Sequence, residues 1–146
     1  CGGAREMQGC PAGCVLLVAV VCLDDFDVVI MTDTPCSQRH AIRQSDEAIP
    51  LLRRIPGVDL QALPDQGCCG AAGSYLLTQP AVADRLRRVT LDAIEGRGAS
   101  VLTTSNTGCA LHLAAGLGRR GSPVEVLHPV QLLARQLRAT ATAGET

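Results

Sequence analysis

Two cysteines stand side by side, Cys68 and Cys69, inside a loop that reads Gly67-Cys68-Cys69-Gly70-Ala71-Ala72-Gly73-Ser74-Tyr75. Consecutive Cα atoms are about 3.8 Å apart, closer than the roughly 4.4–6.8 Å of an unstrained disulfide, so these thiols do not bridge to each other without heavy strain. Adjacent thiols are instead the soft ligands that a metal ion or an iron–sulfur cluster takes. Glycines on both sides let the backbone turn through positive φ and come close, and they leave amide N–H groups free to bond sulfur.

The flanking sequence predicts what carries this loop. The apolar runs Val15–Leu23 and Val28–Met31 are rich in β-branched residues and read as buried strands. The second run leads into the turn Thr32-Asp33-Thr34-Pro35-Cys36. A helix is expected over Ala41–Ile55, with Ile49, Leu51 and Leu52 on one side, and Pro56-Gly57 stops it. Val58–Leu63 alternates as a strand and delivers the chain into the double-cysteine loop. Thr78 and Pro80 then open a helix with Val82, Leu86, Val89 and Ile94 at helical spacing, ending near Gly96. Ser100–Thr104 reads as a strand, followed by the turn Ser105-Asn106-Thr107-Gly108 and a helix from Cys109 to about Leu117. A short strand Val124–Leu127 and a helix Pro129–Leu137 complete the pattern, and the small, polar tail 139–146 is expected to be disordered.

Alternation of this kind predicts an α/β fold, a mostly parallel sheet flanked by helices. Cys36, Cys68 with Cys69, and Cys109 each follow the carboxyl end of a predicted strand and precede a predicted helix. That edge is where open α/β sheets bind ligands, so three separate loops are expected to bring four thiols together there. Helix N-termini beside them favour thiolate over thiol.

A chain of 146 residues that is 47% hydrophobic is the right size for one domain with its own core. We divide it into an atypical segment 1–27, a cysteine-rich domain 28–138 and the tail. Tyr75 and Phe26 are the only aromatic residues, and 13 basic against 14 acidic residues leave a net charge of −1. Neither stacking nor electrostatics suits nucleic acid, so a protein or cofactor partner is expected. Eight cysteines in a chain of ordinary apolar composition point to metal binding in the cytoplasm rather than to a disulfide scaffold. The apolar stretch Cys14–Leu23 is too short to span a bilayer, lacks a cleavage site, and has no proper lipoprotein signal. Beginning at Cys1 rather than at a methionine is what a piece of a longer protein would show. Cys10, Cys14 and Cys22 fit no metal-ligand spacing.

The linear pattern is Cys36, 31 residues, Cys68-Cys69, 39 residues, then Cys109-Ala110-Leu111-His112. With Pro35-Cys36-Ser37-Gln38-Arg39-His40-Ala41, Leu63-Pro64-Asp65, Leu77-Thr78-Gln79-Pro80 and Asn106-Thr107-Gly108-Cys109, it resembles the cysteine-rich CCG domain of glycolate oxidase iron–sulfur subunits, and more distantly that of heterodisulfide reductases and lactate-utilisation proteins. The similarity runs from about Asp33 to Leu137 and corresponds to the second of two such repeats in a full subunit. The resemblance implies an electron-transfer role: a partner flavoprotein subunit oxidises glycolate or a similar 2-hydroxy acid, and the iron–sulfur subunit passes electrons toward the membrane quinone pool. It implies Cys36, Cys68, Cys69 and Cys109 as ligands of an iron–sulfur cluster, of the 4Fe-4S type, with amides of Gly70, Gly73 and Gly108 bonding the sulfurs. Peripheral membrane association would then come through the complex, at the cytoplasmic face. The paired ferredoxin-type cysteine runs of a complete subunit are absent from this sequence.

Four thiolates suit a structural zinc ion equally well, and a thiol-redox domain with a reactive Cys68 or Cys69 is a further alternative. His40 follows Cys36 by four residues and His112 follows Cys109 by three, so each shares a helix face with its cysteine and is a candidate ligand or sulfur hydrogen-bond donor, or else a surface histidine. Tyr75 is expected to pack, and Arg85, Arg87 and Arg88 to form a solvated helix face. No nucleophile–base pair or paired carboxylates point to catalysis by this chain alone.

Overall fold

The computed structural model describes residues 28–43, 48–65 and 67–143. Within them strands β1 (Val28–Asp33), β2 (Val58–Ala62), β3 (Val101–Thr104) and β4 (Glu125–Leu127) alternate with helical segments α1 (Ser37–Ile42), α2 (Ala48–Leu52), α3 (Tyr75–Thr78), α4 (Pro80–Glu95), α5 (Thr107–Arg120) and α6 (Pro129–Ala143). Every pairing is parallel and the strands lie in the order β2-β1-β3-β4. This is the α/β architecture that the alternating pattern predicts. The expected strand Val15–Leu23 lies outside the described residues.

Burial follows position in the sheet. All four residues of β3 are buried, as befits a central parallel strand covered on both faces, whereas no residue of the edge strand β2, which carries Asp59 and Gln61, is fully buried. Successive side chains of a strand point to opposite faces, so Ile30 and Val101 join one core and Met31 and Leu102 the other. The first core is closed by Leu52 of α2 and Leu132 of α6, the second by Leu91 and Ile94 of α4 with Leu113 and Leu117 of α5. The chain leaves β1 toward β2 over one face, then passes over the other face from β2 to β3 on the far side of β1. The strand order therefore reverses between β1 and β3, and the carboxyl ends of those two strands flank a crevice.

Several boundaries differ from the sequence pattern. The expected helix Ala41–Ile55 is two pieces: a wide turn α1, ended by Arg43 in a left-handed conformation (φ +56°), and α2. Residues 44–47 lie outside the described set. α4 starts from Gln79, not from a Thr78 cap; the Thr78 hydroxyl instead donates back to the Ser74 carbonyl at 3.2 Å, closing α3. α4 buries Ala83, Arg87, Thr90, Leu91 and Ile94; of the expected stripe Val82–Leu86–Val89–Ile94, Ile94 is buried, Val82 and Leu86 are half-buried and Val89 is exposed, so the inner face is rotated from that stripe. α6 continues to Ala143, into the stretch expected to be a disordered tail.

Candidate metal centre

Each thiol is positioned by its own loop. Cys36 caps α1, where the Pro35 carbonyl accepts from the amides of Gln38 and Arg39 at 2.9 and 3.1 Å. The β2 loop is set by Asp65, whose Oδ1 accepts from the Gly67 amide at 2.9 Å and from Arg39 Nη1 at 2.5 Å. The Gly67 amide first, and then Arg39, hold the Asp65 carboxyl below the ordinary range. Asn106, the N-cap of α5, accepts from the Cys109 amide at 3.1 Å and so fixes that cysteine in the first turn. Ser105 Oγ donates to Gln38 Oε1 at 3.0 Å, tying the β3 loop to α1.

The three loops converge. Cys36, Cys68, Cys69 and Cys109 line one cavity of about 480 Å³, together with Gly73, Leu76 and Leu111. The thiols stand as two pairs. Cys69 Sγ and Cys109 Sγ are 3.1 Å apart and buried, and Cys36 is in hydrogen-bond contact with Cys68 nearer the surface. Among the described residues no three histidine, cysteine or acidic side chains are arranged around a single ion.

The deeper pair shares its hydrogen bond unequally. That bond pulls Cys69 down to about 7, helped by the Ala71 amide, and pushes the Cys109 thiol well up, with burial and the charges of Cys69 and Asp33 adding to the rise. Cys36 is raised by burial first, then by its bond to Cys68 and by the charges of Cys68 and Cys69. Backbone amides do reach sulfur: Gly70 N–H donates to Cys68 at 3.3 Å and Ala71 to Cys69. Asp33, at the end of β1, accepts from Thr104 Oγ1 at 3.0 Å and faces the deeper pair. Neither Ala71 nor Asp33 was singled out by sequence; an alanine amide carries no signal, and an aspartate ahead of a proline reads as turn chemistry.

Gly70 makes the arrangement possible. Its φ is +91°, and a Cβ there would fall 2.6 Å from the Ala83 carbonyl oxygen and 2.9 Å from Ala83 Cα. The double-cysteine loop thus lies directly on α4, and the small Ala83 sits where the two backbones meet.

The histidines stand elsewhere. His40 is exposed and does not line the cavity. His112 is buried between α4 and α5, with Nε2 3.4 Å from the Ala83 carbonyl and Nδ1 3.4 Å from Arg87 Nη1. An arginine can only donate, so Nδ1 accepts and Nε2 carries the proton to Ala83. Arg87, expected on a solvated face, is 6% exposed; it lies over Gly116, bonds the His112 carbonyl at 3.3 Å and pairs with Asp84. Tyr75 is exposed rather than packed.

The donor set fits an iron–sulfur group. Four thiols are soft ligands, two amides already bond sulfur, and the cavity is far larger than the water-sized space one ion fills. Among the described residues no helix is long and apolar enough to cross a membrane.

Comparison with known proteins places the pattern. The chain is 27% identical to lactate utilization protein A of Shouchella clausii over 122 residues, covering 80% of this chain and 51% of that protein. It is 39% identical to the glycolate oxidase iron-sulfur subunit of Escherichia coli over 82 residues, covering 56% of this chain and 20% of that subunit. A further lactate utilization protein A, from Halalkalibacterium halodurans, is 26% identical over 72% of this chain and 43% of its own length. The chain therefore spans about half the length, or less, of these relatives. No solved structure matches it. The cysteine-rich CCG domain matches residues 32–114, which contain all four clustered thiols, and the chain belongs to that family.

Proposed function

We propose that this chain binds an iron–sulfur cluster of the 4Fe-4S type through Cys36, Cys68, Cys69 and Cys109 and serves as an electron-transfer module. The complex we assign it to oxidises a 2-hydroxy acid, glycolate or lactate, on a flavoprotein subunit, and electrons pass through the module toward quinone at the cytoplasmic face of the membrane. One observation carries this reading: thiols far apart in sequence line a single cavity at the strand-order reversal. The names of the relatives, an iron-sulfur subunit and lactate utilization proteins, support the same class of partner.

The bound group would supply one-electron capacity. The chain's own residues do the rest. Cys69 and Cys109 present buried thiols from the core side, while Cys36 and Cys68 present theirs nearer the solvent. The Gly70 and Ala71 amides stabilise charge on the sulfurs of Cys68 and Cys69. Leu76 and Leu111 border the mouth of the cavity with apolar surface. The name of the Escherichia coli relative, an iron-sulfur subunit, favours a cluster over the structural zinc alternative.

The test is anaerobic reconstitution with iron and sulfide, followed by metal and acid-labile sulfide analysis and electron paramagnetic resonance of the reduced protein. Near-stoichiometric iron and sulfide, lost in Cys69→Ser and Cys109→Ser, is the expected result. A colourless protein holding zinc alone would refute the electron-carrier reading.

A further inference from the structure

Arg39 lies three residues beyond Cys36 in α1, and its guanidinium is split between two environments. Nη1 reaches out to Asp65 at 2.5 Å, while Nε is buried and has no hydrogen-bond partner. Arg39 also lines a narrow recess of about 10 Å³ beneath the thiols, shared with Cys36, Cys69, Cys109 and Asp33. A space of that size holds at most one water, so solvent does not readily satisfy the N–H. A buried donor left without an acceptor is costly, and more so on a charged group.

The electrostatics point the same way. Of the described residues lining the recess and the larger cavity, Arg39 is the single cation, and it shares the recess with Cys36, Cys69, Cys109 and the Asp33 carboxylate. Loading the site with thiolates concentrates negative charge there, and reduction adds more. A cation held beside it stabilises the loaded state over the empty one, and the reduced state over the oxidised.

We propose that Arg39 is the charge-compensating residue of the metal centre: its otherwise unpaired Nε–H donates to a sulfur of the bound group, which tightens binding and raises the reduction potential. This rests on the cluster reading above. Asp65 is the positioning partner that holds the other end of the guanidinium and turns Nε inward.

The experiment compares wild type with Arg39→Met, Arg39→Lys and Asp65→Asn, each with and without its reconstituted cluster. In the metal-free chain, Arg39→Met removes a buried N–H that has no partner, along with an exposed ion pair of small worth, and is expected to melt at the same temperature as wild type or higher. In the loaded protein it is expected to lose iron to a chelator roughly 10-fold faster or more, the range of such supporting residues, and to show a more negative midpoint in a redox titration. Arg39→Lys, which keeps the charge but not the Nε–H, is expected to recover part of the potential. Asp65→Asn is expected to lie between wild type and Arg39→Met in chelator resistance. If Arg39→Met destabilises the metal-free chain as strongly as it weakens iron retention, Arg39 is a structural ion-pair residue and the proposal falls. An unchanged potential and unchanged chelator resistance overturn it as well, with the cluster reading intact. If wild type itself takes up no iron, the cluster reading fails and takes this proposal with it.

Discussion

Gly70→Ala is the substitution in which the fold and the metal site meet, and its consequence can be worked from the structure. An alanine Cβ at this position would stand 2.6 Å from the Ala83 oxygen, 2.9 Å from its Cα and 3.1 Å from its carbonyl carbon. All three are backbone atoms in the interior of α4, so no side chain can rotate away. Holding a non-glycine residue in a sparsely populated positive-φ conformation costs about 1–3 kcal/mol, and overpacking against an unyielding neighbour costs about 1–3 more. A total of roughly 2–6 kcal/mol is a large share of the about 5–15 kcal/mol that holds a domain together. At roughly 4 °C per kcal/mol for a domain of this size, the melting temperature should fall by about 8–24 °C.

Gly73 supplies the control. Its φ is also positive, +48°, yet nothing lies within 4 Å of a Cβ built there, so Gly73→Ala carries conformational strain alone, about 1–2 kcal/mol. The chain has no tryptophan, so far-ultraviolet circular dichroism of the metal-free protein is the suitable assay. Gly70→Ala must melt well below Gly73→Ala. It should also retain less iron, because the displaced loop carries the amide that bonds Cys68. Equal melting temperatures for the two variants would show that the loop does not rest on α4, and the account of how Cys69 is positioned would fail.

Three further outcomes are expected. Asn106→Ala removes the cap of α5 and should cost about 1 kcal/mol in a denaturant titration, with a parallel loss of iron affinity because the same side chain fixes the Cys109 amide. His112→Leu should destabilise by about 1–3 kcal/mol through loss of buried polar partners, yet leave the iron-to-protein ratio unchanged, since its ring nitrogens face Ala83 and Arg87 rather than the thiols. Two hydrogen bonds of 2.6 Å from Arg135 depress the Glu125 carboxyl, so their contribution is fully present above the ordinary carboxylate pKa and is lost as pH falls through the depressed one. This pair is partly exposed and contributes under about 1 kcal/mol; Glu125→Gln should flatten the acid limb of the stability profile and lower stability at pH 7 by no more than that amount.

The strands and the thiol-bearing loops were legible because local chemistry and global position agree there. Val28–Met31 and Val101–Leu102 are apolar, and each runs into turn residues that end in a cysteine. The inner face of α4 was legible only at Ile94, because the rest of its most apolar stripe is not the part that packs. Val82, Leu86 and Val89 outweigh Ala83, Arg87 and Thr90 in hydrophobicity, but the close approach of Gly70 demands a small residue opposite, and Gly116 opens a slot that Arg87 fills. Both are properties of the neighbouring segment, invisible in the helix itself. His112 follows from the same contact. A spacing of three residues from Cys109 puts the two on neighbouring helix positions, yet the α4 backbone and Arg87 take the ring.

The division of the four thiols between core and surface has a thermodynamic consequence. Cys69 and Cys109 belong to the same hydrophobic cluster as Met31, Leu102 and Leu113, so their positions are fixed by the packing that folds the domain. Burial and the nearby Asp33 oppose charge on both, and their mutual bond, with the amides of Ala71 and of Cys69 itself, holds Cys69 near 7. A ligand that needs both sulfurs as thiolates must displace the proton the pair retains, which ties loading to pH and ties the loaded state to the integrity of the core. Cys36 and Cys68, half-buried at the rim, carry no such link to the interior. Replacing either deep thiol therefore weakens the core and the site together, whereas the rim pair stands outside that cluster.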